Sequence, residues 1–118
     1  MAATGDDEIG LVVLWVTRDR EAALNMALMY AKNSRLKGWW EQVHLLVWGP
    51  SAKALSEDAE LQAEVAACRE AGVEVLACRA CADRYGVSET LEGLGITVRY
   101  TGEPLTGYLK DGWKVVSV

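Results

Sequence analysis

The chain has no phenylalanine, two prolines, one histidine and three cysteines among its 118 residues. Each scarcity excludes something. With one histidine, His44, set inside a strand-like run, no Ser-His-Asp arrangement can be argued. One Cys-x-x-Cys pair plus that histidine cannot supply the four ligands of a zinc site within one chain, so no metal is expected. An odd number of cysteines does not suggest a disulfide framework. The Gly-x-x-x-x-Gly-Lys pattern of a phosphate-binding loop is absent, and no cofactor is expected. Basic residues are outnumbered 12 to 17, for a formal net charge of −5. That balance repels a nucleic-acid backbone and an anionic membrane surface. No apolar run approaches the roughly 20 residues of a membrane-spanning helix. Met1 to Glu8 is small, polar and acidic, without the basic front and apolar middle of a secretory signal. This segment is expected to be flexible, and the protein to reside in the cytoplasm, where thiols stay reduced. No repeat, low-complexity run or long linker interrupts residues 9–118, which are expected to form one domain.

What is present is an alternation of strand and helix signals. Ile9 to Val16 is a continuous apolar run rich in β-branched residues, the pattern of a strand covered on both faces. Asp19 can cap a helix with Ala23, Met26, Ala27 and Tyr30 at helical spacing, reaching about Leu36 and stopped by Lys37-Gly38. Val43 to Trp48 is a second strand, broken by Gly49-Pro50-Ser51. Leu61, Val65 and Cys68 share a helical face that runs to about Ala71, with Gly72 as its stop. Val73 to Ala77 is a third strand, followed by helical sequence through Tyr85 and a short turn from Ser88 to Leu94. Ile96 to Tyr100 is a fourth strand, Pro104 suits the first turn of a last helix, and Lys114 to Val118 is a fifth strand. Five strands alternating with helices imply an α/β fold with a parallel sheet covered on both faces by right-handed crossovers. Sequence alone does not fix the strand order.

Ligands in such sheets bind at the carboxyl ends of the strands. That edge collects Thr17 to Asp19, Trp48 to Ser51, Cys78 and Cys81, and Tyr100 to Gly102. Its strongest chemical signal is Cys78-Arg79-Ala80-Cys81. Residues three apart on a helix share a face, so the two sulfurs can approach each other. Both lie near a helix N-terminus, where free N–H groups and the helix dipole favour an anion. A thiolate is such an anion, and its pKa is expected to fall there, with Arg79 and Arg84 adding positive charge. The bland alternative is that both cysteines are small core residues. Cys68, on the apolar face with Leu61 and Val65, reads as core.

Other residues carry two readings each. Trp48, Gly49 and Ser51 can wall a pocket, with Ser51 capping the next helix; equally they form an ordinary strand-to-helix turn. Asp19 can orient a substrate or a thiol, or serve only as a helix cap. His44 reads as a satisfied structural histidine. Trp39 and Trp40 follow a helix and suggest a subunit interface, unless one folds back over the core.

Gly72-Val73, Ala77-Cys78-Arg79-Ala80-Cys81-Ala82, Tyr85-Gly86-Val87 and Leu94-Gly95-Ile96 resemble the DsrE/DsrF-like family. Trp48-Gly49-Pro50-Ser51 and Gly102-Glu103-Pro104-Leu105-Thr106 resemble a largely uncharacterised, single-chain branch of it. The resemblance implies a three-layer α/β/α fold around a five-stranded parallel sheet of flavodoxin-like topology, assembled into trimers or hexamers. It further implies sulfur relay, with the active cysteine at the end of the third strand: Cys78 matches that position, and Arg84 and Gly86 match downstream. Cys81 is not shared by all relay members. Three functions follow as expectations. One is a sulfurtransferase or sulfur carrier that holds sulfane sulfur as a Cys78 persulfide between donor and acceptor proteins. Another is a non-catalytic oligomeric scaffold. The third is a dithiol switch using Cys78 and Cys81.

Overall fold

The computed structural model describes residues 9–118, so the expected flexible segment 1–8 lies outside the described residues. Five strands form one sheet: β1 (Leu11–Trp15), β2 (Val43–Val47), β3 (Glu74–Cys78), β4 (Thr97–Arg99) and β5 (Lys114–Ser117). All four pairings are parallel, in the order β4-β3-β2-β1-β5. This α/β architecture is the expected fold class. The strand order is not the flavodoxin order 2-1-3-4-5, however. The steps from β1 to β4 all move one way across the sheet, and only the last returns to the far edge beside β1.

That order decides where the helices lie. Right-handed crossovers that step in one direction deposit their helices on one face. The first crossover is helix α1, residues 20–36, in which a π-helical segment Ala23–Ala27 joins Arg20–Ala22 to Leu28–Leu36. The second holds α2 (Pro50–Glu57) and α3 (Ala59–Glu70), and the third α4 (Arg79–Tyr85) and α5 (Ser88–Gly93). The returning crossover, α6 (Gly102–Lys110), falls on the opposite face. Two apolar clusters record this division. The larger joins Val13, Trp15, Leu45, Val47, Val75, Ala77 and Val98 of the sheet to Ala27, Leu28, Leu55, Leu61, Val65 and Leu91 of the helices. The smaller is built on Val12, Leu46 and Leu76, the alternate strand positions, with Leu105, Tyr108 and Trp113 packed against them. One helix cannot cover five strands, so Thr97 and Arg99 of β4 and Glu74 of β3 stay exposed.

Local chemistry sets the boundaries. The Asp19 carboxylate accepts the Ala22 N–H at 3.0 Å and starts α1. The helical sequence after Pro50, for which the sequence reading gave an end but no start, holds two helices. Asp58 leaves the helical region and its Oδ1 accepts the N–H groups of Glu60 and Leu61 at 2.9 and 3.2 Å, beginning a second helix. Arg20 clamps this break through Asp58, at 2.7 Å, and Glu60. Trp113 lies on Gly10 so closely that a Cβ there would sit 2.2–2.5 Å from three indole atoms. Trp15 is wholly buried and its indole N–H donates to the Thr17 carbonyl at 3.0 Å. Trp40 packs on the core, whereas Trp39 stacks on Tyr30 and remains 55% exposed.

Candidate active site at the carboxyl end of the third strand

Cys78 is the last residue of β3 and the N-cap of α4. The strand reaches one residue further than the apolar pattern indicated, because Cys78 still pairs in register with Arg99 of β4. Ala77 faces the large helix layer, so alternation turns Leu76 and Cys78 toward the other face. The chain leaves β3 for one face through α4 and leaves β4 for the opposite face through α6. Cys78 therefore stands at the point where neighbouring connections diverge, which is where open α/β sheets form their crevices.

A cleft of about 270 Å³ opens there, lined by Trp48, Cys78, Ala80, Cys81, Arg84 and Tyr85. Cys78 is only 4% exposed, yet it belongs to the cleft wall, and Cys81 is half-buried beside it. Both donors of Cys81 end on the Cys78 sulfur. The Cys81 N–H donates to Cys78 Sγ at 3.3 Å, and the Cys81 thiol donates to the same atom at 2.7 Å. A negative charge on Cys78 Sγ would meet two ready donors, while Cys81 keeps the proton.

The expected fall in thiol pKa does not hold for Cys81. Burial pushes this thiol up, and its hydrogen bond to Cys78 pushes further in the same direction. The Gly49 N–H and the Arg84 charge pull down, but do not prevail. The Cys68 thiol, sealed beneath α1 and directed at the Leu28 carbonyl at 3.5 Å, is pushed up to about 12 by burial. Its reading as core matches this placement.

The remaining sequence candidates divide. Trp48 and Arg84 line the cleft, and Gly49 brings its N–H to Cys81. Gly49 adopts φ +71°, a left-handed conformation that glycine enters at little cost, and this turn aims its N–H. Ser51 does not cap α2: Gly49 holds the N-cap position and Pro50 the first turn. The Ser51 hydroxyl is buried, donates to the Trp15 carbonyl at 2.6 Å and accepts the Trp48 N–H at 3.0 Å. It ties β1 to β2 and positions Trp48 from behind. Arg79 turns away, bonding the Val98 carbonyl at 2.8 Å and Glu92 at 3.2 Å. Asp19 is exposed at the start of α1 and does not line the cleft. Arg84 has no ion-pair partner among the described residues and is the cation left facing the sulfurs.

Sequence reasoning missed Arg99 and Tyr85. Arg99 is the register partner of Cys78, and only the strand order could have revealed it. Tyr85 is two turns along α4 from Cys78, and that spacing could have placed it in the cleft. His44 lies below, half-buried, its Nδ1 2.5 Å from the Tyr108 hydroxyl and its ring edge-on to Tyr108 and tilted against Trp113. Burial holds its pKa below the ordinary value. Among the described residues, no three His, Cys, Asp or Glu side chains converge as metal ligands.

Fold and site together define a small, all-parallel α/β protein with a Cys-x-x-Cys pair at a diverging strand edge. The chain belongs to the DsrE/DsrF-like family, whose model matches residues 12–118. It is similar to a conserved protein of unknown function, BT1422 from Bacteroides thetaiotaomicron, with 39% identity, full coverage of both chains and a TM-score of 0.91. The ychN protein from E. coli shares the fold at 16% identity, a TM-score of 0.73, and 93% and 99% coverage of the two chains. MTH1491 from Methanobacterium thermoautotrophicum, of unknown function, shares it at 20% identity, a TM-score of 0.72, and 92% and 99% coverage. No curated protein matches the sequence. No helix among the described residues is long and apolar enough to cross a membrane.

Proposed function

We propose that the protein is a sulfur carrier or sulfurtransferase of a reducing, cytoplasmic compartment, with Cys78 as the sulfur-bearing residue. The observation that carries this reading is the convergence of both Cys81 donors on one sulfur at the wall of a cleft. The Cys78 thiolate attacks the outer sulfur of a donor persulfide. A bond forms between Cys78 Sγ and that sulfur, the donor S–S bond breaks, and the donor departs as a thiolate. Cys78 then carries the persulfide, whose negative charge the Cys81 N–H and Arg84 can stabilise. An acceptor thiolate takes the outer sulfur and returns Cys78 to the thiolate. Membership of the DsrE/DsrF-like family fits the same chemistry, and the resemblance implies an active cysteine at this strand end.

The test is mass spectrometry of the intact chain after incubation with a sulfane-sulfur donor. A one-sulfur adduct mapped to Cys78 is the expected result. An adduct that persists in Cys78→Ser, or none in the wild-type chain, would leave the scaffold reading in its place.

A dithiol switch is a second reading, supported by the direct approach of the two sulfurs. Cys81 thiolate can attack Sγ of the Cys78 persulfide, form the Cys78–Cys81 disulfide and release hydrosulfide; an external dithiol must then reduce the disulfide. Self-association belongs to the same proposal. Met26, Met29 and Leu36 are exposed on the outward side of α1, near exposed Trp39. An amphipathic helix ordinarily shows polar residues there. A trimer or hexamer of this chain would bury that stripe.

A further inference from the structure

On the same sheet face as Cys78, a second cavity of about 350 Å³ runs between the β3–β4 edge and α6. It is lined by Leu76, Arg99, Glu103, Gly107, Tyr108 and Trp113, among others. Its floor is apolar, the strand residue Leu76, and its wall aromatic, the Tyr108 and Trp113 rings at a centroid distance of 4.8 Å. Its upper end carries opposite charges. Arg99 comes from the end of β4 and Glu103 from the first turn of α6, and neither makes an ion pair among the described residues. Arg99 and Tyr108 line the same groove, where burial and then the Glu74 charge push the Tyr108 hydroxyl's pKa up while Arg99 opposes them. Gly107 leaves the middle of the groove open: a Cβ built there meets nothing within 4 Å.

The groove adjoins the strand end that carries Cys78, although it shares no lining residue with the Cys78 cleft. Arg99 is the register partner of Cys78, and neighbouring strands lie about 4.8 Å apart. Leu76 precedes Cys78 by two residues on the same face. A ligand whose charged head sits between Arg99 and Glu103 is therefore held one strand away from Cys78.

We infer that this groove binds a small zwitterionic thiol of the cysteine class, whose persulfide is the sulfur donor. Its carboxylate pairs with Arg99 and its ammonium with Glu103, each a charge-assisted contact. Its outer sulfur passes to the Cys78 thiolate, and the donor leaves as the free amino-acid thiolate. This inference rests on the sulfur-transfer reading for its chemistry, but not for its binding.

The test uses S-methylcysteine, which has the charged head and no transferable sulfur. Titration of the full chain, followed by the NMR signal of the Trp113 indole, should show saturable binding. Blocking the carboxylate as a methyl ester or the amine as an acetamide should weaken it at least about tenfold, as each removes one charge-assisted pair. Arg99→Gln should do the same, and Gly107→Leu should abolish binding by filling the groove. Lys114→Gln, on the opposite edge strand, should bind as wild type. The inference is overturned if S-methylcysteine does not bind, or if it binds equally well in its blocked forms. Binding without any sulfane transfer to Cys78 would instead remove the sulfur-transfer reading and leave the site.

Discussion

At the scale of single residues, the three cysteines occupy three different environments, and their reactivities should differ accordingly. Cys68 is fully buried and its thiol is pushed up to about 12. It should resist alkylation in the native chain at pH values near 8, while Cys78 and Cys81 are modified; peptide mapping by mass spectrometry reads this directly. Cys81→Ser should keep the first sulfur adduct on Cys78 yet lose any route to the internal disulfide. Two substitutions away from the site test the packing around it. Gly10→Ala drives a Cβ into Trp113, and overpacking of that kind costs about 1–3 kcal/mol in urea unfolding. Gly107→Ala meets open space on a helix, so it should stabilise the chain by about 0.5–1 kcal/mol.

At the scale of elements, the turn between β2 and α2 is the part that holds the site in shape. The buried Ser51 hydroxyl joins the Trp15 carbonyl to the Trp48 N–H. Ser51→Ala removes both bonds but leaves the Trp48 N–H on the Trp15 carbonyl at 3.0 Å, so it should cost only about 0.5–1.5 kcal/mol and loosen the indole of Trp48 in the cleft. Urea unfolding and tryptophan fluorescence measure the two effects separately. The sequence made the strands and most helices legible, because their signals are local: β-branched runs, helical spacing, Asp19 as a cap, and glycine stops. Cys78 was legible for the same reason, as the end of an apolar run followed by helical sequence. The start of the helix that carries Leu61, Val65 and Cys68 was not legible, because that apolar face does not mark where it begins; Asp58 as a cap was the only cue. Of the two readings of Ser51, the cap fails because Gly49 holds that position and Pro50 the first helical turn. Arg99 could not be reached at all. Its partnership with Cys78 is a property of strand order, which no local pattern encodes.

At the scale of the whole molecule, the uneven covering of the sheet is the dominant feature. Among the described residues, five helices sit on one face and only α6 on the other, so the exposed edge of β3 and β4 is left for the groove and the cysteine pair. The outward stripe of α1 should be covered by another copy. Met29→Lys places a charge in that stripe and is expected to lower the mass of the assembly in light scattering, with the circular dichroism of the fold unchanged. Stability should also carry the signature of His44. The unfolded chain takes up a proton near pH 6.5. Burial holds the folded histidine below that value, with Glu74 opposing. The unfolded state therefore binds more protons as pH falls, and stability is lost from about pH 6.5 downward through the folded value. Urea midpoints on either side of that range should decline toward acid, and less steeply in His44→Gln.

The central claim is that one sulfur atom, on Cys78, accepts and surrenders sulfane sulfur. It is tested most directly by loading the chain with isotopically labelled sulfane sulfur and following the label to a low-molecular-weight acceptor thiol. The account expects label on Cys78 that chases quantitatively to the acceptor, and no label in Cys78→Ser. Label that never leaves the protein, or that loads equally well without Cys78, would contradict it.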